Sequence, residues 1–304
     1  MAYFVQLVFA GVALGCIYAL VALGFTIIFK ASGVINFAQG ELLLVGAYIV
    51  YAGVFEWHLN FYVAVLLALV VTVAIAVLFE RFVLRRMVGK PVFSILMITI
   101  GLDILLRTGV VVKFGGGIRP PGTPPFEAQH DVAIGAGSDR LFFSANDLSV
   151  IATTVLICVV LYVFFRYSRY GLAMRATALD QEAALAMGIN IRTVYALAWA
   201  IAAAIATIGG IFLAVHEFNL DSTLGSTALL AFPAIILGGL DSVSGAVVGG
   251  IIIGLTEQLT SGYEGQFSAV LGTGFHSIAP YLVMILVLFI RPYGLFGSRR
   301  VERI

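Results

Sequence analysis

The sequence predicts an all-α membrane protein, a polytopic bundle of helices that cross the bilayer about nine times. Of its 304 residues, 61% are hydrophobic and only 11% are charged, whereas soluble domains carry about a quarter charged residues. The apolar residues fall into long runs, and lipid offers no hydrogen-bond partners to an unpaired backbone. We therefore expect residues 1–304 to form a single transmembrane domain of helices.

Nine apolar segments are predicted spans, and about eight to ten crossings are compatible with their lengths. The N-terminus has no Lys or Arg before the first run, so we expect that run to be kept as a span, not removed as a signal peptide. The second, seventh and eighth segments are short, which favours broken or re-entrant helices. The nine are approximately Phe4–Phe29, Gly40–Phe55, Phe61–Phe79, Pro91–Val112, Leu148–Phe165, Thr193–Val215, Ser226–Leu240, Ser244–Glu257 and Ser277–Ile290.

Basic residues set the predicted orientation, because Lys and Arg concentrate in cytoplasmic loops. This rule places the N-terminus outside, the C-terminus inside, and a cytoplasmic loop at about 167–192. The Gly- and Pro-rich connection at about 114–147 then lies outside, and we expect it to be largely irregular. The cytoplasmic basic residues are Lys30, Arg81, Arg85, Arg86, Lys90, Arg166, Arg169, Arg175, Arg192, Arg291, Arg299, Arg300 and Arg303.

Several function classes are unsupported by the sequence. The net charge of +1 gives no field that would attract nucleic acid. Neither an HExxH motif nor a GxxxxGK[ST] phosphate loop occurs, so neither a zinc protease nor nucleotide chemistry in this chain is indicated. Its two cysteines, Cys16 and Cys158, lie in apolar runs and are expected to be buried thiols. We expect neither a catalytic nor a metal site.

The stretch Gly33–Glu41 lies between two apolar runs and carries the polar residues Asn36, Gln39 and Glu41. Irregular backbone at membrane depth is tolerated only where protein or a water-filled cavity satisfies it. One interpretation is a broken helix beside a translocation path. The alternative is a tight cytoplasmic turn.

Asp103 and Arg107 form a charged pair inside a predicted span. Four residues apart, they share one face of a helix, and charges at membrane depth usually face the bundle interior or a cavity. They are predicted either to line the conduit or hold a subunit contact, or to be a structural pair that neutralises itself.

A short cytosolic helix is predicted within Tyr170–Ile189. Asp180 is a good N-cap, the alanine-rich residues after it favour helix, and Gly188 is a good terminator. Leu179, Ala183, Ala186 and Met187 would lie near one face. Such a face suits docking onto a partner protein or lying on lipid headgroups.

Pro233 and the glycines after it indicate interrupted spans near the C-terminus. Proline can kink a membrane helix, and Gly238-Gly239 favours a sharp turn. Glycines four apart place small residues on one face, as in tightly packed pores or in ordinary helix packing. The pairs are Gly11 with Gly15, Gly245 with Gly249, and Gly250 with Gly254.

In five blocks the sequence resembles the permease subunit of branched-chain amino acid ABC importers, the LivH type. The resemblance covers nearly the whole chain. One departure is Gln39, where a His is common in the family. The blocks are Tyr18–Phe25, Gly33–Tyr48, Gly171–Gly188, Leu237–Gly254 and Arg291–Gly297.

The resemblance implies a permease in a bacterial cytoplasmic (inner) membrane, which translocates branched-chain or other neutral amino acids. Its partners would be a periplasmic binding protein, a second permease of the LivM type and two cytosolic ATPase subunits. ATP would be bound by those subunits, with no cofactor in this chain. Permeases of similar type carry urea or short amides, and an ion-coupled secondary transporter is the other alternative.

The resemblance also implies a role for the short cytosolic helix. It matches the family's ATPase-contacting loop, which favours docking over the membrane-surface interpretation. The implied coupling residues are Arg175, Asp180, Glu182, Ala183, Met187 and Gly188. The expected translocation-path residues are Asn36, Gln39, Glu41, Asp103, Arg107 and Pro233.

Overall fold

The computed structural model describes residues 2–87, 90–122, 132–134, 141–266 and 272–297. Helices make up nearly all regular structure in these ranges. A π-helical turn, Ala52–Glu56, continues α2, and a 3-10 turn, Leu84–Met87, follows α3. The helices are α1 (Ala2–Ser32), α2 (Gln39–Tyr51), α3 (Phe61–Phe82), α4 (Val92–Phe114), α5 (Ala145–Tyr167), α6 (Arg169–Leu179), α7 (Gln181–Ala186), α8 (Ile191–His216), α9 (Leu224–Thr227), α10 (Phe232–Gly238), α11 (Val243–Gly262) and α12 (Phe275–Ile290).

Six helices in the described part of the chain are long and apolar enough to cross a membrane: α1, α3, α4, α5, α8 and α11. Each coincides with one predicted segment. The other three predicted segments coincide with α2, with α9 and α10, and with α12, which are helical but shorter. The prediction of a membrane helix bundle is therefore confirmed.

One predicted boundary was wrong. The segment beginning near Ser244 was expected to end at Glu257, but α11 continues for 20 residues to Gly262. The charge of Glu257 does not end the helix, because the Tyr18 hydroxyl donates a 2.7 Å hydrogen bond to its carboxylate. A carboxylate with such a partner can remain within an apolar helix.

The chain divides into two compact units. The first comprises Met1–Ala22, Pro124–Val155 and Leu230–Ile304, and the second comprises Leu23–Thr123 and Leu156–Leu229. The C-terminal basic residues Arg299, Arg300 and Arg303 lie outside the described residues, as does most of the connection at 123–140.

Glycines let helices of the first unit approach closely. A Cβ built on Gly15 would lie 2.6 Å from the Ile251 Cα, and one on Gly250 would lie 2.6 Å from the Ala19 backbone nitrogen. Gly254 packs directly against Gly15. The glycines spaced four apart therefore serve helix packing between α1 and α11, which supports the simpler of the two interpretations.

The core of the second unit is built around α2. All of its residues except Ile49 are buried, which is typical of a helix in the interior of a bundle. It packs against α8, α3 and α4. Gly46 and Gly210 allow the closest approach to α8, since a Cβ on Gly46 would lie 2.9 Å from the Thr207 Cα.

The connection at about 114–147 is less irregular than expected. Val132–Ile134 pairs antiparallel with Leu141–Phe143 as a short two-stranded hairpin. Both segments consist mostly of β-branched, aromatic and aliphatic residues, which favour strands. In the second unit, Arg119 also forms an isolated antiparallel bridge with Leu220.

Candidate functional site

The chain breaks between α1 and α2 inside the second unit. Ser32 ends α1, Gly33 adopts a φ of 71°, and α2 starts at Gln39. Asn36, only 1% exposed, folds back so that its Oδ1 accepts a 3.1 Å hydrogen bond from the Ala38 backbone. The Phe37 backbone donates to the Thr99 hydroxyl at 3.4 Å. The break is therefore packed within protein rather than exposed as a surface turn.

Gln39 begins α2 and points into the same interior. It is 1% exposed, and its Nε2 donates a 3.1 Å hydrogen bond to the Ala202 carbonyl of α8. Gly24 lies directly against that amide, so no larger residue fits there without displacing it. The Gln39 Oε1 has no hydrogen-bond partner in the described part of the chain. A buried acceptor without a partner is costly and suggests that a ligand or water completes the site.

Glu41 places a carboxylate in the interior of the second unit. It is 2% exposed, and its Oε2 has no partner among the described residues. Its carboxylate lies against Gly225, and the charges of Asp103 and Arg107 both act on it. Three of the predicted path residues therefore interact electrostatically, although Glu41 is remote in sequence from the other two.

Asp103 and Arg107 lie half-buried on α4, as their spacing predicted. They interact electrostatically, but their side chains form no salt bridge within 4.0 Å in the described residues. Glu41 is a third residue whose charge interacts with theirs, and the role of the pair stays a prediction.

Pro233 lies just after a 3-10 turn, Ala228–Ala231, that interrupts the helical run from Leu224 to Gly238, in line with the predicted interruption. It occupies the first turn of α10 and is buried, and proline is tolerated there because the first-turn N–H groups have no intrahelical partner. It belongs to the first unit, whereas the other five predicted path residues belong to the second.

The segment at 167–192 holds two helices, where only one was predicted. Ser168 caps α6, its Oγ accepting a 2.9 Å hydrogen bond from the Gly171 backbone. This cap was the missed signal, because Ser is a preferred N-cap. As predicted, Asp180 caps α7, with the Ala183 backbone donating to its Oδ1 at 2.9 Å. Gly188, at a φ of 81°, follows the end of α7.

The outer face of α6 and α7 is exposed. Leu179 is 90% exposed and Met187 83% exposed, while Arg175, Glu182 and Ala183 are also exposed. Ala184 is buried and directs the other side of α7 toward the rest of the second unit. The pair thus presents apolar and charged side chains together, which is typical of a protein-docking surface.

Sequence reasoning missed one intramembrane carboxylate contact. Glu257 on α11 accepts the hydrogen bond from Tyr18 on α1 within the first unit. The two residues are 239 positions apart, and no local spacing could have revealed the pair. A polar link between spanning helices stabilises their packing.

Comparison with known proteins identifies the family. Residues 7–288 match the family described as "Branched-chain amino acid transport system / permease component". The high-affinity branched-chain amino acid transport system permease protein LivH of Salmonella typhimurium is 33% identical over 99% of this chain and 98% of its own length.

Two further relatives align over most of their length. The corresponding permease protein BraD of Pseudomonas aeruginosa is 28% identical over 99% of this chain and 98% of its own. The probable branched-chain amino acid transport permease protein LivH of Methanocaldococcus jannaschii is 30% identical over 91% of this chain and 88% of its own. The family match and the full-length similarity, taken with six helices suited to crossing a membrane, show that this chain belongs to the permease components of branched-chain amino acid transport systems.

Proposed function

We propose that this permease works in an ATP-driven importer and translocates branched-chain or other neutral amino acids delivered by a periplasmic binding protein. Its other partners in this proposal are a second permease of the LivM type and two cytosolic ATPase subunits. Family membership and the names of the full-length relatives support the substrate class. The absence of a phosphate loop from the sequence agrees with ATP being bound by separate subunits.

The observation that carries the ATP-driven mechanism is the exposed helix α7. A six-residue helix is too short to be stable alone, yet α7 is capped at Asp180 and terminated at Gly188. Its outer face carries Met187 and Glu182, which we assign to the ATPase contact together with Arg175, Asp180, Ala183 and Gly188. Movement of an ATPase subunit would then be transmitted through α7 to α8, against which α7 packs.

The charged group in the second unit is the proposed translocation site. An amino acid zwitterion needs an anionic and a cationic partner at membrane depth, and Glu41, Asp103 and Arg107 supply both signs. Asn36 and Gln39 add amide groups with unused hydrogen-bonding capacity. Pro233 is assigned to the path from its place in the glycine-rich C-terminal segment.

The proposed topology has nine crossings in a cytoplasmic membrane. Six are the long helices, and the others are α2 with its π-helical extension, the α9–α10 segment and α12. The N-terminus lies outside and the C-terminus inside. The single transmembrane domain then has its coupling loop at about 167–192 in the cytosol and the loop at about 114–147 outside.

Gentle affinity purification from native membranes tests the assembly. We expect a second permease and two ATPase chains to co-purify with the wild-type chain. The Met187→Ser and Glu182→Gln double variant should lose most of the ATPase while it keeps the second permease. Phe218→Ser, which changes an equally exposed apolar residue beyond the opposite end of α8, should keep both. Unchanged ATPase recovery with the double variant would contradict the coupling role of α7.

A further inference from the structure

A cavity of about 190 Å³ lies in the second unit, beside the start of α7. Its apolar wall includes Ile28, Val34, Leu84 and Trp199, all of which are buried. Drug-sized ligands occupy cavities of about 300–1,000 Å³, so this one suits a smaller molecule. Its wall is formed by the end of α1, by the connection between α1 and α2, and by parts of α4 and α8. The cavity therefore does not depend on a single loop.

The cavity also has a polar side. Asn36 and Thr99 are buried lining residues, and Ser32 and Tyr195 add hydroxyl groups. The Asn36 Nδ2 has no hydrogen-bond acceptor in the described chain. A buried N–H group without an acceptor is costly, and an oxygen atom of a ligand at this wall would supply the missing partner.

The rim gives the cavity its charge. Lys90, Val92 and Gln181 line it and are exposed, so the cavity opens between the start of α4 and the start of α7. Lys90 is a cation, and none of the described lining residues is acidic. Glu80, which does not line the cavity, is paired with Arg85 at 3.3 Å. The rim therefore favours an anionic group.

We propose that this cavity binds a small carboxylate with a short aliphatic side chain, an amino acid of the size of leucine or valine, from the cytosolic side. The carboxylate lies near Lys90 and Asn36, the ammonium faces the hydroxyls of Ser32 and Tyr195, and the side chain fills the apolar wall. The cytosolic location rests on the proposed function and its orientation. The cavity shares Asn36 with the proposed translocation path, but Gln39, Glu41, Asp103, Arg107 and Pro233 do not line it.

A ligand bound in this cavity would affect the movement of α7. Gln181 is both a lining residue and the first residue of α7, and Tyr195 of α8 lines the same cavity. A bound ligand would contact the base of α7 and restrict its movement against α8. Imported amino acid that accumulates in the cytosol would therefore slow further import.

Proteoliposomes of the complete transporter test this regulation. ATP is enclosed, binding protein and radiolabelled L-leucine are supplied outside, and unlabelled L-leucine is enclosed at increasing concentration. We expect enclosed leucine to lower the initial uptake rate severalfold. Enclosed leucinol, which lacks the carboxylate, should have little effect.

Variants of the rim distinguish the cavity from other sites. Lys90→Gln should leave uptake into leucine-free vesicles unchanged and should raise the half-inhibiting concentration of leucine about tenfold, because one charge-assisted hydrogen bond is lost. Arg86→Gln removes an exposed neighbouring charge that does not line the cavity, so it should behave as wild type. Inhibition that is equal in wild type and Lys90→Gln would overturn the proposal.

Direct binding separates this proposal from the proposed function. Equilibrium dialysis of radiolabelled L-leucine against the purified complex, without binding protein, should show binding that Lys90→Gln and the cavity-filling Ile95→Phe both weaken and Arg86→Gln does not. Absent binding, or binding insensitive to both cavity variants, overturns the cavity site even where ATP-driven uptake is normal. Vesicles that import no amino acid would contradict the proposed function, while the dialysis would still decide on the cavity.

Discussion

Gly225 lies directly against the Glu41 carboxylate: a Cβ added to Gly225 would be 2.6 Å from the Glu41 Cδ. Glycine at 225 thus keeps space for a buried acid that we assign to the translocation path. Gly225→Ala should displace the Glu41 side chain and cost about 1–3 kcal/mol through overpacking. We expect uptake to fall strongly while the assembled complex is still recovered. Gly101→Ala, where an added Cβ meets nothing within 4 Å, is the matched control and should transport normally.

The charge of Glu41 can be tested without a change in its shape. Glu41→Gln should lower the initial uptake rate at least about tenfold, since loss of a charge-assisted contact to the substrate ammonium is worth about 1.5–3 kcal/mol. The exposed Glu56 provides the control variant Glu56→Gln. Uptake by Glu41→Gln at the wild-type rate would remove Glu41 from the path.

The hydrogen bond between Tyr18 and Glu257 should contribute to stability rather than to transport. Hydrogen bonds to charged groups contribute about 1.5–3 kcal/mol, so Tyr18→Phe and Glu257→Gln should each lower the thermal midpoint of the purified complex. In a double-mutant cycle their effects should be clearly less than additive. Tyr3→Phe, which removes an exposed hydrogen bond to the Gly262 carbonyl, should have a smaller effect. Additive losses would mean that the two residues do not stabilise each other.

Lowering the pH should weaken the contacts of Glu264, which lies just after the end of α11. The Gly274 backbone N–H donates a hydrogen bond to the Glu264 carboxylate, and the His276 Nδ1 lies 3.0 Å from the Glu264 Oε2. Both contacts lower the pKa of Glu264. A carboxyl whose pKa is lower in the folded state stabilises the fold above its unfolded pKa, about 4.3, and this contribution disappears as pH falls through the folded pKa.

The thermal midpoint of wild type should therefore exceed that of Glu264→Gln at neutral pH, and the difference should shrink below about pH 4.3. Differential scanning fluorimetry of the two complexes between neutral and acidic pH measures this difference in thermal midpoint. A difference that does not shrink well below about pH 4.3 would contradict the assigned contact.

Much of the fold followed from the distribution of apolar residues. Long runs located the six long helices, because only a helix satisfies its own backbone in lipid. The position of α2 within the bundle could not be predicted in the same way. It is short and buried on nearly every side, so its pattern does not indicate which helices surround it. The length of α11 was missed because a carboxylate within an apolar run resembles a boundary until its partner is known.

The candidate site was predictable where the signal is local. The cap at Asp180 and the terminator at Gly188 depend on residues within one short helix, and both were found where expected. The shared face of Asp103 and Arg107 followed from helical spacing. Their association with Glu41 depends on how α2 packs against α4, a long-range contact that one sequence does not encode in any spacing.

ATP-driven uptake tests the central claim most directly. The chain would be reconstituted with its co-purified partners in vesicles that enclose ATP, and radiolabelled L-leucine would be supplied outside with the binding protein. The account predicts uptake that requires ATP and the binding protein, persists when ion gradients are collapsed, and is lost in the Met187→Ser and Glu182→Gln double variant. Uptake that proceeds without ATP and stops when the ion gradient is collapsed would contradict it and would identify an ion-coupled transporter.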